Sequence, residues 1–425
     1  MSFYTPGLKP HVVDAVHDST NFRTEFRLKP NTVYLTNFRI ANLGAKLVNA
    51  DIYNPLAGAA ALIKSIHIYD GNQLLDQLLE FPLWAGFTSY NQSNKANVDM
   101  RRALLADSTG FVYEGLDLPN AAGDTVVNNA LIRPRHDSPK ATNDADSSKS
   151  WLSLKSLLPF LDASLYCPTT VFQNLRVVIQ YNTNPAQLGV RSTGAVVATD
   201  VTSFEPILLV DEVVNPDRQH QIAKSYKGVR YNAIEHDRVP ISAIDVDAGS
   251  APTTKTVGGF NNKHVTRFLL VNSLLTASDT DATLGLGSAA MFKQGVQIRM
   301  NGRNIFPASG ITKPNQRLSL LTDVWGTCNS FNGTNQVQLS TGDGTIDRTI
   351  VQNVAVTRTF VGNLDYCAFS AMAGEPIQEL QIDYTRFSES GAAAAQHGAM
   401  NLNIFGEVMK QIVVSPGNGY SINYV

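Results

Sequence analysis

The sequence feature that most constrains the fold is a strand–turn–strand–helix pattern that occurs twice. In the first copy, Ile66 and Ile68 alternate with polar residues, as in a strand that buries one face. Asp70-Gly71 follows, and this pair favours a tight hairpin turn because glycine tolerates a positive φ angle. A second strand comes next. It is followed by a helical patch with Leu83, Phe87 and Tyr90 on one face.

The second copy of the pattern lies between Gly295 and Phe331. Its turn is Asn301-Gly302, and Trp325-Gly326 matches Trp84-Ala85-Gly86 of the first copy. The alternating strand consists of Val296, Ile298 and Met300, and the helical patch of Leu318, Leu321 and Trp325. The recurrence predicts two domains of one type.

Other segments recur in the same order. The late strand Asn174–Tyr181 is matched by Glu379–Tyr384, and the strand Ile207–Val213 by Met400–Val408. We also match Val229–Pro240 with the early strands around Phe22–Pro30. Further strands are predicted at Phe268–Leu275 and Tyr420–Tyr424. The shared order is a stronger argument than any single match.

A chain of 425 residues is too long for one ordinary core. We predict an all-β protein of two tandem jelly-roll sandwiches with short helices in the loops, because long inter-strand loops are typical of jelly rolls. The first jelly roll spans residues 21–215, the second spans 216–425, and residues 1–20 form an N-terminal arm. Residues 119–150 are predicted to form a long surface loop and residues 94–107 a helix. Residues 154–161 are predicted to form a short helical segment that is stopped or bent near Pro159.

Composition excludes several classes of function. Charged residues make up 16% of the chain, which suits a protein whose faces meet other subunits. The net charge of −2 gives no electrostatic case for nucleic-acid binding. The three cysteines, Cys167, Cys328 and Cys367, show neither a disulfide framework nor zinc spacing. The N-terminus lacks a signal-peptide layout and no apolar run is long enough to span a membrane, so we expect folding in the cytosol.

Two loop segments contain residue types that occur in metal or nucleotide sites. The loop with His136, Asp137, Asp144 and Asp146 lacks the glycine and terminal glutamate of an EF-hand, and is expected to be solvated. Gly285-Leu286-Gly287 lacks the third glycine of a nucleotide fingerprint. Neither segment is predicted to bind a metal or cofactor.

Several residues of types that occur in active sites also have a simpler structural role. His236-Asp237 is an acid–base pair in sequence, but adjacent strand residues point to opposite faces. Cys167 precedes Pro168 in an apolar setting typical of a core. The glycosylation sequons at Asn91 and Asn332 are expected to stay unmodified without a signal peptide. Trp84 and Trp325 lie at helical spacing from apolar residues, which favours packing in a core. No catalytic, cofactor-binding or metal-binding residue is predicted.

Five segments resemble one known family: Ile66–Tyr90, Val296–Phe331, SLKSLLPFL at 153–161, NLRVVIQY at 174–181, and Glu379–Val414. The chain is similar to the double jelly-roll major capsid proteins of tailless icosahedral double-stranded DNA viruses. Its compact length looks closest to polinton-like viruses, virophages or small bacterial relatives. The resemblance extends over nearly the whole chain after the N-terminal arm.

This resemblance implies a structural protein of the virion, made and folded in the host cytoplasm or nucleus. A homotrimer would present a pseudo-hexagonal outline that tiles an icosahedral shell around a double-stranded DNA genome. Residues 119–150 and 330–360 would lie near the exposed top, and residues 1–20 would contact neighbours or an inner membrane. The implied partners are neighbouring capsomers, vertex (penton) proteins and minor capsid or cement proteins, with no sequence-specific nucleic-acid binding.

The alternative function is a carbohydrate-binding or glycan-cleaving jelly-roll protein, since fold alone does not decide function. Such a protein would need a groove with exposed aromatic side chains, and a hydrolase would need two facing carboxylates. Tyr69, Tyr90 and Tyr113 are candidates for exposure.

Overall fold

The computed structural model describes most strands of both halves of the chain. The described residues are 7–18, 22–43, 52–53, 62–84, 112–113, 116–119, 125–128, 132–133, 150–182, 189–190, 206–241, 253–274, 296–307, 310–311, 314–325, 366–371, 375–384, 400–415 and 419–425.

Elements are numbered in chain order. The strands of the first half are β1 Leu8–Val13, β2 Ala15–Asp18, β3 Arg23–Arg27, β4 Val33–Leu35, β5 Arg39–Leu43, β6 Ile52–Tyr53, β7 Ile63–Asp70, β8 Gln73–Leu78, β9 Val112–Tyr113, β10 Leu116–Pro119, β11 Thr125–Asn128, β12 Ile132–Arg133, β13 Ser150–Ser153, β14 Tyr166–Pro168, β15 Leu175–Tyr181, β16 Gly189–Val190 and β17 Ile207–Val213. Those of the second half are β18 Gly228–Ile241, β19 Thr253–Val257, β20 Val265–Leu274, β21 Val296–Met300, β22 Arg303–Asn304, β23 Tyr366–Ser370, β24 Leu380–Tyr384, β25 Met400–Val414 and β26 Tyr420–Tyr424. The helices are α1 Pro159–Asp162, α2 Pro216–Ser225 and α3 Pro314–Trp325, and residues 81–84 form one further helical turn.

The first half forms a unit of two main sheets. One has the order β13-β5-β17-β4-β14, with β1 also paired to β17, and the other has the order β2-β3-β15-β7-β8. Their apolar faces enclose a core that includes Phe26, Phe38, Ile66 and Phe172. The pairs β9–β12, β10–β11 and β6–β16 are separate two-stranded ladders.

The second half forms a unit with the same plan. One sheet has the order β18-β25-β20-β23, with β26 also paired to β25, and the other has the order β19-β24-β21-β22. A separate core containing Phe260, Phe268, Ile298 and Ile382 lies between them. The prediction of two similar β units in tandem is confirmed.

Three of the predicted matches between the halves occupy equivalent places. β15 and β24 each pair with the first strand of a hairpin, β7 and β21 respectively. β17 and β25 are each the strand with most neighbours in the other sheet of their unit. The match of Val229–Pro240 with the region around Phe22 is wrong, since β18 pairs along β25 as β1 pairs along β17. Alternation of apolar and polar residues indicates a half-buried strand, but it does not specify which sheet the strand joins.

The two predicted hairpins both form. β7 and β8 are joined by a loop of two residues, Gly71 and Asn72, with φ of +57° at Gly71. β21 and β22 are joined by Asn301-Gly302, whose φ angles of 51° and 74° are both positive, as a type I′ turn requires. Asp70 ends β7 and its carboxylate accepts a hydrogen bond of 2.7 Å from the Asn174 N–H.

The structure differs from three other predictions. Within the predicted arm, β1 and β2 are strands of the two sheets, because their backbone groups pair with β17 and β3. Pro159 begins helix α1, since its missing N–H costs nothing at a first helical position. Residues 119–150, predicted as loop, include β11 and β12, and the helix predicted at residues 94–107 lies outside the described residues.

The sheet that contains β20 and β25 is buried on both faces. Along β20, Phe268 and Leu270 belong to the second core, whereas Leu269 and Val271 belong to the apolar cluster of the first unit. All four side chains are fully buried. The first unit therefore packs directly on the outer face of a sheet of the second unit.

Candidate functional site at the interface between the two units

Aromatic side chains form the centre of the contact between the units. Trp84, at the end of the helical turn 81–84, packs edge-on against Trp325 of α3 with ring centroids 5.5 Å apart. Trp84 also lies 5.4 Å from the ring of Phe405 on β25. Such aromatic pairs contribute about 0.5–1.5 kcal/mol each beyond the burial of their area. The tryptophans predicted to pack in cores thus pack between the two units.

An ion pair lies beside this aromatic cluster. The guanidinium of Arg267 is 4.1 Å from the centroid of the Trp325 ring and forms a salt bridge with Glu407. The Trp325 indole N–H donates a hydrogen bond of 3.1 Å to the Phe268 carbonyl. Together these contacts fix the end of α3 against β20 and β25.

A buried carboxylate holds the first unit's side of the interface. Asp76 on β8 is fully buried and accepts hydrogen bonds of 2.9 Å each from the N–H groups of Phe160 and Gln77. Burial raises the pKa of Asp76 to about 6, although the two N–H donors and the charge of Lys410 oppose that rise. Beside it, Tyr231 of the second unit packs on Phe160 and donates its hydroxyl hydrogen to a carbonyl of the first unit.

A second buried carboxylate, that of Glu235, lies on the second unit's side of the interface. Glu235 on β18 forms salt bridges with Lys410 at 2.9 Å and Lys263 at 2.6 Å, and accepts a hydrogen bond of 3.1 Å from Tyr424. Burial alone would raise the pKa of Glu235, but the two ammonium groups outweigh it and lower the pKa below its usual value. Burial opposes the charge of Lys410, yet its pKa is raised because the Glu235 carboxylate stabilises the ammonium.

The C-terminal strand β26 bridges the two units. The Tyr420 hydroxyl donates to the Asp70 carboxylate of the first hairpin at 2.9 Å, and its ring packs 5.1 Å from Phe172. Four residues later, Tyr424 contacts Glu235 of the second unit. Residues from both halves also line a cavity of about 280 Å³ near Asp70 and Tyr420.

The described candidates for catalysis are held by structural contacts. The His236 imidazole shares a hydrogen bond of 3.0 Å with Asn403, while Asp237 accepts one of 2.8 Å from the Gly259 N–H. Burial lowers the pKa of His236. Cys167 is buried, and burial raises the pKa of its thiol strongly, which disfavours a reactive thiolate.

Of the three tyrosines predicted to be candidates for exposure, Tyr69 is the one whose side chain the structure describes. Its ring stacks with that of His67 and lies under the Arg176 guanidinium. The remaining residues named in the sequence for possible chemistry lie outside the described residues or have no described side chain: His136, Asp137, Asp144, Asp146, Gly285-Leu286-Gly287, Asn91, Asn332, Cys328, Tyr90 and Tyr113. The side chains of Leu318 and Leu321 in α3 are likewise not described.

Within the described ranges, no group of three or more His, Cys, Asp or Glu side chains is arranged to hold a metal ion. Among the same residues, no helix is long and apolar enough to cross a membrane.

Sequence reasoning missed Asp76, Glu235 and Lys410. A charged residue inside an apolar strand is the one signal that could have indicated them, as for Lys410 within the buried β25. That signal does not identify the partner, because Glu235 and Lys410 lie on strands far apart in sequence, and the pairing of β18 with β25 brings them together.

Comparisons with known proteins support the fold. No protein-family model and no curated protein sequence matches the chain. Among solved structures, the mavirus major capsid protein matches with a TM-score of 0.55 and 11% identity, over 98% of this chain and 90% of that one. A chain of the Sputnik virophage structure matches with a TM-score of 0.52 and 10% identity, over 99% and 88%. VP54 of PBCV-1, fitted into a reconstruction of Sputnik, matches with a TM-score of 0.50 and 12% identity, over 98% and 97%.

These likenesses extend from one end of the chain to the other and include both units. The fold is therefore the double jelly roll, and the similarity to double jelly-roll capsid proteins predicted from the sequence is confirmed at the level of the fold. At identities of 10–12%, the comparison establishes the fold alone.

Proposed function

We propose that this protein is a major capsid protein with a structural rather than a catalytic role. The observation that carries the proposal is the match to the mavirus major capsid protein, which extends through both jelly rolls and 98% of the chain. The buried contacts between the units support it, since a shell protein needs a rigid building block. The low content of charged residues, 16%, suits a protein with extensive intersubunit contacts.

The unit of assembly in this proposal is a homotrimer. Two jelly rolls of one plan, fixed side by side in each subunit, give a trimer six similar lobes and a pseudo-hexagonal outline. Such capsomers tile the facets of an icosahedral shell around a double-stranded DNA genome. Neighbouring capsomers, vertex proteins and minor capsid proteins are the proposed partners, and the virion is the proposed location.

The mass of the purified full chain, measured by size-exclusion chromatography with light scattering, tests this proposal. We expect a stable species of three times the mass of 46.2 kDa, with a hexagonal outline in negative-stain images. A monomer that forms no larger assembly at any concentration, salt or pH would contradict the proposal. Tight binding to a defined glycan by that monomer would favour the alternative of a carbohydrate-binding protein.

A further inference from the structure

A cavity of about 280 Å³ lies where the C-terminal strand β26 of the second unit meets the first unit. Gly419 and Tyr420 line it on the side of the second unit, and Asp70-Gly71 at the first hairpin line it on the side of the first unit. We call it the seam cavity. Its volume lies just below the range of about 300–1,000 Å³ that is typical of small-molecule sites, so it suits a small ligand.

The carboxylate of Asp70 is held in place within the seam cavity. It accepts hydrogen bonds of 2.7 Å from the Asn174 N–H and 2.9 Å from the Tyr420 hydroxyl. The Tyr420 ring is fixed in turn by Phe172, with ring centroids 5.1 Å apart. An ionised carboxylate offers about four acceptor positions, so two contacts leave about half of them free for a ligand. Because this group is already fixed, little conformational entropy is lost when a ligand binds to it.

Two further polar side chains of the seam cavity have free hydrogen-bonding groups. Gln173 and Asn174 both line the cavity and are exposed. Neither of their side-chain amides forms a hydrogen bond with another described residue. Each amide offers two N–H donors and one carbonyl acceptor. Free donors and free acceptors of the first unit therefore line the same small space as the carboxylate of Asp70.

The charges around the seam cavity favour a neutral ligand over a cation. Among the described residues that line the cavity, Asp70 carries the only charge. The Arg176 guanidinium donates a hydrogen bond of 2.9 Å to the Gly71 carbonyl, so a positive charge lies against the same turn and offsets that of Asp70. Val171 and the Tyr420 ring add apolar surface to the lining. This lining matches a neutral molecule that has several hydroxyl groups and a C–H face.

We propose that the seam cavity binds a neutral polyhydroxyl molecule of the size of a monosaccharide. Its hydroxyl groups donate to the Asp70 carboxylate and form hydrogen bonds with the amides of Gln173 and Asn174. Because both units line the cavity, the bound molecule fastens β26 to the first unit. A ligand that binds only the folded chain also stabilises it by mass action. This inference goes beyond the proposed capsid function and needs neither the trimer nor the shell.

The test titrates D-glucose, D-galactose and D-mannose into the full chain and follows binding by saturation-transfer NMR. Gly419→Leu should weaken binding of the preferred sugar at least tenfold, because it fills the cavity. A Cβ at Gly419 has nothing within 4 Å, and its φ lies outside the left-handed region, so the substitution brings no backbone strain. Gly258→Leu is the matched control, since its Cβ is equally free and the residue does not line the cavity. Gln173→Ala should weaken binding at least threefold and leaves the contacts of β26 intact.

The outcomes separate this inference from the proposed function. A wild type that binds none of the three sugars would overturn the seam cavity as a site and leave the capsid function standing. Sugar binding of equal strength in Gly419→Leu and Gln173→Ala would place the site elsewhere and overturn it as well. Binding of putrescine, a small dication, without binding of any sugar would overturn the neutral ligand. A sugar-binding protein that never assembles would overturn the capsid function alone. Thermal unfolding without sugar checks that each variant keeps its fold.

Discussion

Trp84 of the first jelly roll and Trp325 of the second pack edge-on with ring centroids 5.5 Å apart. The two residues correspond in the order of the repeated pattern, since each follows the hairpin of its own unit. The duplicated helical ends therefore meet each other in the folded chain. Phe405 of β25 completes the cluster on the side of the second unit.

Replacement of Trp84 by alanine should destabilise the protein by about 3–5 kcal/mol, the range for truncation of a large buried aromatic residue. Trp84 is 6% exposed and contacts both units, so its loss should also separate the unfolding of the two jelly rolls. Urea unfolding followed by far-UV circular dichroism measures both effects. Phe22→Ala is the control, because Phe22 is 44% exposed, and it should change stability by less than about 1 kcal/mol. Equal losses in the two variants would contradict the role of Trp84.

Removal of the Glu235 charge should destabilise the protein by about 3–5 kcal/mol, because it leaves a buried ammonium without its partner. The variant is Glu235→Gln, and the ammonium left without its partner is that of Lys410, which is 5% exposed. The double variant with Lys410→Met should recover part of the loss, since no uncompensated charge remains. A double-mutant cycle measured by urea unfolding gives the coupling between the two residues. Additive effects would show that the pair is not coupled.

Stability should depend on pH through Asp76. Its pKa is about 6 in the folded protein and near its ordinary 3.8 in the unfolded chain, so the folded state binds more protons between these values. The contribution of Asp76 to stability is thus fully present below about pH 3.8 and is lost as the pH rises through about 6. The shift corresponds to about 3 kcal/mol.

Asp76→Asn should remove this part of the pH dependence. The difference in unfolding free energy between wild type and variant, measured from pH 4 to 7, isolates Asp76 from Glu235, whose lowered pKa acts in the opposite direction. Parallel pH profiles would show that Asp76 does not titrate in this window.

Replacement of Gly228 by alanine should disrupt the start of β18. Gly228 has a φ of +110°, and a Cβ there would lie 1.9 Å from the carbonyl oxygen of Ile412 on β25. The strand would have to move, and we expect a loss of more than about 2 kcal/mol. Gly258→Ala is the control, since its Cβ would have nothing within 4 Å. Thermal unfolding compares the two, and a Gly228→Ala variant as stable as the control would contradict the strain argument.

The sequence determined the local structure of this protein. Alternation at Ile66 and Ile68 and the turn residues Asn301-Gly302 specify their hairpins, because period-two burial and positive φ angles are properties of a few neighbouring residues. Duplication of that pattern was enough to predict two similar β units. Pro159 shows the limit of local reasoning, since a proline can end one helix or begin another.

Only the tertiary structure decided which surfaces meet. Whether β18 takes the place of β1 or of β3 depends on pairing with β25, a strand more than 150 residues away in the chain. The burial of Phe405 and Leu269 on the outer face of their sheet follows from how one sandwich packs on the other, and the ion pair of Glu235 with Lys410 follows from the pairing of β18 with β25. These relations join residues far apart in sequence, and the free energy that selects them comes from apolar area and charges that are brought together only when distant strands pair and pack.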